Sequence, residues 1–482
     1  MQKITKATLH NTNNKVEKMK IMNRLIAAVM TLVILFSLSA CLVTQGPSPE
    51  PEVSEKDAIL IAVEETLEDD KYNCQYVYTY LLKWGITGFN TLKFLTYENT
   101  FIDKYNYGSG LPDRLVHASA TARYFVENYY DNIDKNDAEA LTNALLNSYV
   151  YTVGDKYAFY RTAEEFEEYD EEMSGKFCGI GIQVEYDHTK QTILVNQVFA
   201  DGPAAKAGMK VGDYIVGVDG KEFDELGGYR NVIYHIRGDE GTKVTVTVDR
   251  NGTKIDITIT RAIIVETSVS YKLTEEGYGY IMISSFKDNT AEQFRKAVDA
   301  LEDEGAIGYI FDVRSNPGGY VRSVTEILSY ILPSRKKIIS YKTKGEASSR
   351  YYYSLDDDYP EDDAIDVDHV ITLPMVVLCN EYTASAGEIF VSALRDYDGP
   401  VEDIIDVTIV GKTTFGKGIM QSSYGYPLDK SYVTFTIAYY NPPSEVNYHE
   451  IGITPDIFVE YDDSGDNQLD EAIKQLGILL NR

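Results

Sequence analysis

The chain is poor in the residues that several chemistries require. Its 482 residues include only six histidines and four cysteines. Cys41, Cys74, Cys178 and Cys379 are too scattered for a disulfide framework, and their spacings match no zinc site. Cys379 ends an apolar run and reads as a small core residue. The charge is one-sided: 45 lysines and arginines face 75 aspartates and glutamates, a formal net charge of -30, and no basic stripe occurs. That excludes a nucleic-acid partner and marks a solvated acidic surface. The aspartates between 356 and 363 lack calcium-loop spacing, so the tyrosine-rich insertion at 348–370 reads as a solvated loop, and no metal or cofactor is called for. The histidines matter most for catalysis. His10 lies at the far N-terminus, His117, His188 and His235 fall outside the α/β segment described below, and His369 and His449 sit in no motif, which disfavours a Ser-His-Asp triad.

Long hydrophobic runs are also missing. The apolar run 25–40 has 16 residues, short of the ~20 of a membrane span. Lys18, Lys20 and Arg24 precede it, so it reads as an export signal, with Met19 or Met22 as the start. It ends in Leu38-Ser39-Ala40-Cys41, which resembles the lipobox of bacterial lipoproteins. That resemblance implies lipid on Cys41 and an exported protein anchored on the extracytoplasmic face of a bacterial membrane, with an uncleaved transmembrane segment as the alternative. A Pro-rich linker, 42–56, follows.

What is present points to a globular body of about three domains. Residues are 44% hydrophobic and 25% charged, and 39 tyrosines with 17 phenylalanines predict aromatic-rich packing. Segment 57–172 has helical periodicity, as in Ala58, Ile61, Ala62 and Thr66, and in Ala138, Leu141, Ala144 and Leu145. Segment 173–263 breaks into short β-type runs at 180–184, 193–198, 214–218, 244–248 and 255–260. Segment 264–482 alternates, with a strand at 278–283, a helix at 291–301, a strand at 307–313 and a helix at 324–332, the pattern of an α/β layer.

One stretch concentrates chemistry. Asn380-Glu381-Tyr382-Thr383-Ala384-Ser385-Ala386-Gly387-Glu388 follows an apolar strand and opens a helix, so Ser385 stands where unpaired N-H groups and the helix dipole favour negative charge. Ser385 and Glu388 also fit a plain capping box. A serine nucleophile needs a base. Lys417, in Gly416-Lys417-Gly418, is the alternative to histidine, and Gln421 follows four residues later. A helical turn would bring the two side chains to about 5–6 Å and a strand would separate them by about 13 Å; the reading adopted is the turn. A surface lysine in a glycine loop is the plain alternative. Asp312-Val313-Arg314-Ser315-Asn316-Pro317-Gly318-Gly319 ends a strand in a turn whose glycines let backbone N-H groups approach a ligand.

In order, these segments resemble known families. Phe177-Cys178-Gly179-Ile180-Gly181-Ile182, then 202–209, then 211–220, resemble a PDZ domain, which binds a peptide C-terminus by strand addition. Its carboxylate loop would be Gly179, Ile180, Gly181 and Ile182. With 312–319, 383–389 and 416–421 behind it, residues 57–460 resemble the carboxyl-terminal processing peptidases, or tail-specific proteases. The resemblance implies an α/β multidomain protein with a helical N-terminal domain, a PDZ-like β-rich module and an α/β core of the crotonase/ClpP type, partly shared with the N-terminal domain. It implies Ser385 as nucleophile, Lys417 as general base and Gln421 as its orienting partner. Backbone N-H groups of Gly318 or Gly319 and of Ala386 would form the oxyanion hole, Arg237 would couple the PDZ module to the core, protein or peptide C-termini would be substrates, and a homodimer is expected. Where the family has Asp-Pro-Tyr-Ser and Pro-Ser-Gly, this chain has Asp155-Lys156-Tyr157-Ala158 and Pro443-Ser444-Glu445, and 402–406 lengthens the interval from Ser385 to Lys417. A catalytically silent PDZ scaffold at the membrane surface is the alternative function, and a hydrolase of another substrate on the same core is a second.

Overall fold

The computed structural model describes residues 54–68, 93, 94, 97, 100, 111–134, 136–343, 346, 348–354, 369–399, 401–462 and 465–481. The chain divides into two compact units, Met1–Ala58 and Ile59–Arg482; of the first, only residues 54–58 are among the described residues. The export signal, Cys41, most of the Pro-rich linker, Cys74 and the run 356–363 lie outside the described residues. No described helix is long and apolar enough to cross a membrane.

The N-terminal helices are α1 (Glu55–Glu68), α2 (Leu111–Asn128) and α3 (Ala138–Thr152). Asp137 caps α3 by accepting from Glu139 N and Ala140 N, both at 3.0 Å. Leu141, Ala144 and Leu145 are buried as their spacing predicts. Among the described side chains of α1, Ile59 and Val63 are buried, while Ile61 is 46% exposed. Ile61 therefore points away from the face expected of it, because 58–63 is apolar throughout and periodicity alone cannot choose a side.

These helices do not close a core by themselves. Phe94, Tyr97, Phe125 and Tyr149 pack in one cluster with Tyr426, Val433 and Phe435 from far down the chain. Strand β1 (Phe159–Arg161) pairs antiparallel with the strand Tyr432–Asn441, Tyr160 opposite Val433. Helix α4 (Ala163–Ser174) follows, closed at its start by a Thr162–Glu165 capping box and ended by Gly175 at φ 66.

The next module stands on a ribbon of two strands. Strands β2 (Lys176–Gly179) and β9 (Ala262–Val265) pair with each other only. Between them lie β3 (Ile182–Asp187), β4 (Thr192–Val198), helix α5 (Pro203–Lys206), β5 (Tyr214–Val218), β6 (Lys221–Glu222), helix α6 (Tyr229–Ile236), β7 (Lys243–Arg250) and β8 (Thr253–Thr260). The sheet runs β3-β4-β5-β7-β8, which leaves β3 at an edge. The single strand expected at 180–184 is split, since Gly181 adopts φ 77 and breaks the ladder.

The remaining chain forms two sheets. Strands β10 (Val269–Leu273), β11 (Gly279–Ile283), β12 (Tyr309–Asp312), β15 (Met375–Cys379), β16 (Val407–Gly411) and β19 (Ile457–Phe458) lie side by side in that order. From β11 onward they are parallel. Helices α7 (Thr290–Asp303), α8 (Val321–Ile331) and α9 (Ala386–Tyr397) contribute to the core on one face, and α10 (Asn467–Leu479) covers the other. The period of two decides the layering: Tyr309 and Phe311 join the first cluster, Ile310 the second. Hence β12 and β15 are buried at every residue, the mark of a central parallel strand. The second sheet runs β1-β18-β13-β14, with β13 (Lys337–Thr343), β14 (Arg350–Tyr353) and β18 (Tyr432–Asn441), and β17 (Ile419–Gly425) also pairs with β18.

His117 on α2 gives a stability test. It is 4% exposed, its Nε2 lies 3.0 Å from the Tyr149 carbonyl, and burial pulls its imidazole down to about 4. A lowered pKa means that the unfolded chain takes up this proton first as pH falls, so stability present above pH 6.5 is lost on the way down to about 4. At about 1.4 kcal/mol per unit the loss is on the order of 3 kcal/mol. Urea denaturation at pH 7 and pH 4.5 should show this decline, and His117→Gln should remove that part of it.

Candidate active site

The site sits at the carboxyl ends of β12 and β15, where ligands collect in open parallel sheets. Strand β15 ends at Cys379, and six residues later Ser385 stands at the N-cap of α9. Ser385 has φ 54 and ψ -118, a conformation costing a non-glycine residue about 1–3 kcal/mol. It is held by contacts on both sides. Thr383 Oγ1 donates to the Val313 carbonyl (2.7 Å) and Ala384 N to the Asn316 carbonyl (2.9 Å), stapling the serine turn to the 312–319 turn. Asn380 Oδ1 accepts from Ser315 N at 2.8 Å.

Asn316 is fully buried and organises the glycine turn. Its Nδ2 donates to the Ile283 carbonyl and its Oδ1 accepts from Gly318 N, each at 2.8 Å. Of the two glycines, then, Gly318 has its N-H committed inside the turn. The N-H groups of Gly319 and Ala386 have no acceptor among the described residues. Gly318 serves close approach: a Cβ there would stand 2.7 Å from Ser385 Cβ and 3.0 Å from Ala386 N.

Lys417 lies in the irregular segment before β17, and Gln421 lies on β17 itself. This corrects the helical turn expected for 417–421. The two side chains nevertheless meet, with Lys417 Nζ donating to Gln421 Oε1 at 3.0 Å. A register shift between Met420 and Gln421 interrupts the regular ladder, so the strand separation computed for an unbroken run does not apply. Gln421 Nε2 donates to the Tyr157 carbonyl, and Lys417 Nζ lies 4.9 Å from the centre of the Tyr157 ring. Burial pulls the Lys417 ammonium below the ordinary lysine range, opposed by the Asp155 and Glu388 carboxylates.

Glu388 joins the two halves. It is 0% exposed and its carboxylate accepts four hydrogen bonds. Oε1 takes Thr414 Oγ1 and Gly416 N, both at 2.6 Å; Oε2 takes Ser385 N at 3.0 Å and Lys417 N at 2.7 Å. Burial pushes its carboxyl up while these donors pull it down. The Ser-x-x-Glu spacing signalled a helix cap, and the Glu388 half of that box is formed; the reach to the 414–417 loop left no trace in the sequence. Tyr440 adds a further tie, its hydroxyl donating to the Lys417 carbonyl at 2.7 Å.

The other predicted residues are placed as follows. The loop Gly179, Ile180, Gly181 and Ile182 adjoins the free edge of β3, packed against the 202–203 turn, with Ala204 N on the Ile180 carbonyl at 2.8 Å. Arg237 caps the C-terminus of α6 and forms an ion pair with Glu171 of α4 at 3.1 Å, so it reaches out of the β-rich module. Among the described residues no histidine hydrogen-bonds to Ser385; His369 stacks on Tyr330 at 3.7 Å. Cys379 is buried in β15, its thiol pushed up to about 12. The described residues hold no group of three or more side chains suited to a metal.

Residues 277–459 match peptidase family S41, and residues 178–260 match the PDZ domain. These define the class, a serine-type peptidase carrying a PDZ domain. The chain is 32% identical to the carboxy-terminal processing protease CtpA of Bacillus subtilis (strain 168), over 69% of this chain and 67% of that protein. It is 30% identical to CtpB of the same organism, over 75% of this chain and 72% of that protein. The chain belongs to the carboxy-terminal processing protease family.

Glu388→Ala would leave four donors facing a void. Each buried donor left without an acceptor costs about 1–3 kcal/mol, partly offset by no longer burying a carboxylate. Urea unfolding should show that loss, and cleavage by the folded fraction should fall as well, since Ser385 and Lys417 no longer share an acceptor.

Proposed function

We propose that this peptidase cleaves proteins near their C-termini through an acyl-enzyme made by Ser385, with Lys417 as general base and Gln421 as its orienting partner. The observation that carries the proposal is the desolvated Lys417 amine, hydrogen-bonded to Gln421 and tied by its main chain to the carboxylate that also holds Ser385. A neutral lysine can take the serine proton, and burial makes that form accessible below the usual lysine pKa. Ser385 Oγ then attacks the peptide carbonyl. The oxyanion is received by the N-H groups of Gly319 and Ala386, at the mouth of α9, with Gly318 clearing the space beside them. Lys417 passes its proton to the leaving amine, and water, deprotonated by the same lysine, releases the acyl group.

The β3 edge and the 179–182 loop suit capture of a substrate carboxylate and tail by strand addition. Arg237, paired with Glu171 next to the ribbon, suits a coupling role between this module and the core. Export, lipid on Cys41 and a homodimer complete the proposal, resting on the 18–41 pattern and on the family resemblance.

The test uses the full chain and an unstructured polypeptide ending in apolar residues. Ser385→Ala and Lys417→Ala should each lose at least about 100-fold in kcat/KM, and Gln421→Ala less. Wild-type kcat/KM should rise with pH through one ionisation lying below the ordinary lysine value of 10.5, because the base must be neutral. Equal cleavage by wild type and both dyad variants would overturn the assignment; tail binding without cleavage by wild type would favour the silent PDZ scaffold. In a bacterial host, Cys41→Ala should move the protein from the membrane fraction to the soluble exported fraction, and unchanged membrane association would count against the lipid anchor.

A further inference from the structure

A turn from the helical domain reaches the dyad. Between α3 and β1, Asp155 accepts from Tyr157 N at 3.0 Å through Oδ1, and from Thr436 N at 2.8 Å through Oδ2; Thr436 Oγ1 adds a bond to Oδ1 at 3.2 Å. The turn is thereby pinned to β18, the neighbour of β17. From this position Tyr157 meets both supporting groups of the serine. Its carbonyl accepts from Gln421 Nε2, and its ring centre stands 4.9 Å from Lys417 Nζ.

The chemistry of these contacts is directional. A carbonyl only accepts, so the Tyr157 oxygen selects the amide end of Gln421 and leaves Oε1 for Lys417 Nζ at 3.0 Å. The ring face attracts the ammonium form of the lysine and limits where its flexible stem can rest. We propose that the 155–157 turn is a third part of the catalytic site, in which Tyr157 is a positioning residue for Lys417 and Gln421. The helical domain thus completes the active centre. This rests on the Ser385–Lys417 reading.

A positioning role of this kind predicts a change in pH dependence. The groups facing Lys417 are Asp155 and Tyr157 on the turn, Glu388 on α9 and Tyr440 on β18, whose hydroxyl binds the Lys417 carbonyl. Lys156 lies 5.0 Å from the same Tyr157 ring and 3.7 Å from Glu450. The Tyr157 ring and the two carboxylates favour the ammonium. Removing one of them should let Lys417 become neutral at lower pH, shifting the acid limb of kcat/KM downward by about half a unit for the ring.

The experiment compares pH profiles of full-length wild type, Tyr157→Phe, Tyr157→Leu and Asp155→Asn on one peptide, with melting curves for each. Tyr157→Phe keeps the ring and should overlay wild type. Tyr157→Leu should move the acid limb down by about half a pH unit and lower kcat several-fold with KM nearly unchanged. Asp155→Asn should move the limb in the same direction. A limb left in place by Tyr157→Leu, or moved equally by Tyr157→Phe, overturns the inference. Should Tyr157→Leu fail to melt cooperatively or be too slow to titrate, Asp155→Asn decides, and an unmoved limb there overturns it. Lys417→Ala, run in parallel, separates the two levels: retained cleavage sinks the dyad itself, whereas lost cleavage with unmoved limbs sinks only the role of the turn.

Discussion

The active site depends on one buried carboxylate. Glu388 is 0% exposed and receives the main-chain N-H groups of Ser385, Gly416 and Lys417 together with the Thr414 hydroxyl. Burying a carboxylate is tolerable only when it is fully hydrogen-bonded, and its four donors come from two segments of the chain. The acceptor therefore does more than close the first turn of a helix. It sets the backbones of Ser385 and Lys417 against a common point. The same loop is held from its other side by Thr383 and Ile453, as Phe415 N donates to the Thr383 carbonyl and Thr414 N to the Ile453 carbonyl.

Such close approach explains where glycine and strain are concentrated. A Cβ on Gly416 would stand 2.9 Å from Gly452 N, and one on Gly318 would enter the space of Ser385. Ser385 itself pays for this arrangement in backbone strain at φ 54, sustained because the two turns at the ends of β12 and β15 are stapled to each other. The parallel sheet underneath supplies rigidity: its two central strands have no exposed residue. A serine held off its preferred conformation and a lysine drawn towards neutrality by burial are both properties of a rigid, dry support.

Around that support the chain is built with different degrees of coupling. The helical domain shares its core with β17 and β18, the strands that lead from Lys417 and Gln421, so it is part of the catalytic fold. The PDZ domain joins the rest through the β2–β9 ribbon, supplemented by the Arg237–Glu171 ion pair. An exposed pair of this kind contributes about 0–1 kcal/mol, a tie weak enough to be exchanged for another partner. The helical domain and the PDZ domain thus differ in how firmly each is held to the parallel sheet and its neighbours.

Much of this was legible in the sequence because it is local. Strand and helix periods and the PDZ-like run of motifs depend on residues close together in the chain, as does the Ser-x-x-Glu spacing that marks the start of α9. The helical turn at 417–421 was misread because two long side chains can meet across a broken register, a geometry that spacing does not encode. The outward side of Ile61 in α1 was misread because 58–63 is an unbroken apolar run and only packing partners select a side. The roles of Asn316, Glu388 and Tyr157 were legible only as turn, cap and loop, since their partners lie at Gly318 and Ile283, at 414–417, and at 417–421. The sequence by itself determined which chemical groups are available and the order in which they occur. Tertiary structure decided which N-H is committed and which is free, how far the lysine is desolvated and which turn of the helical domain reaches it, because those depend on distances between segments remote in the chain.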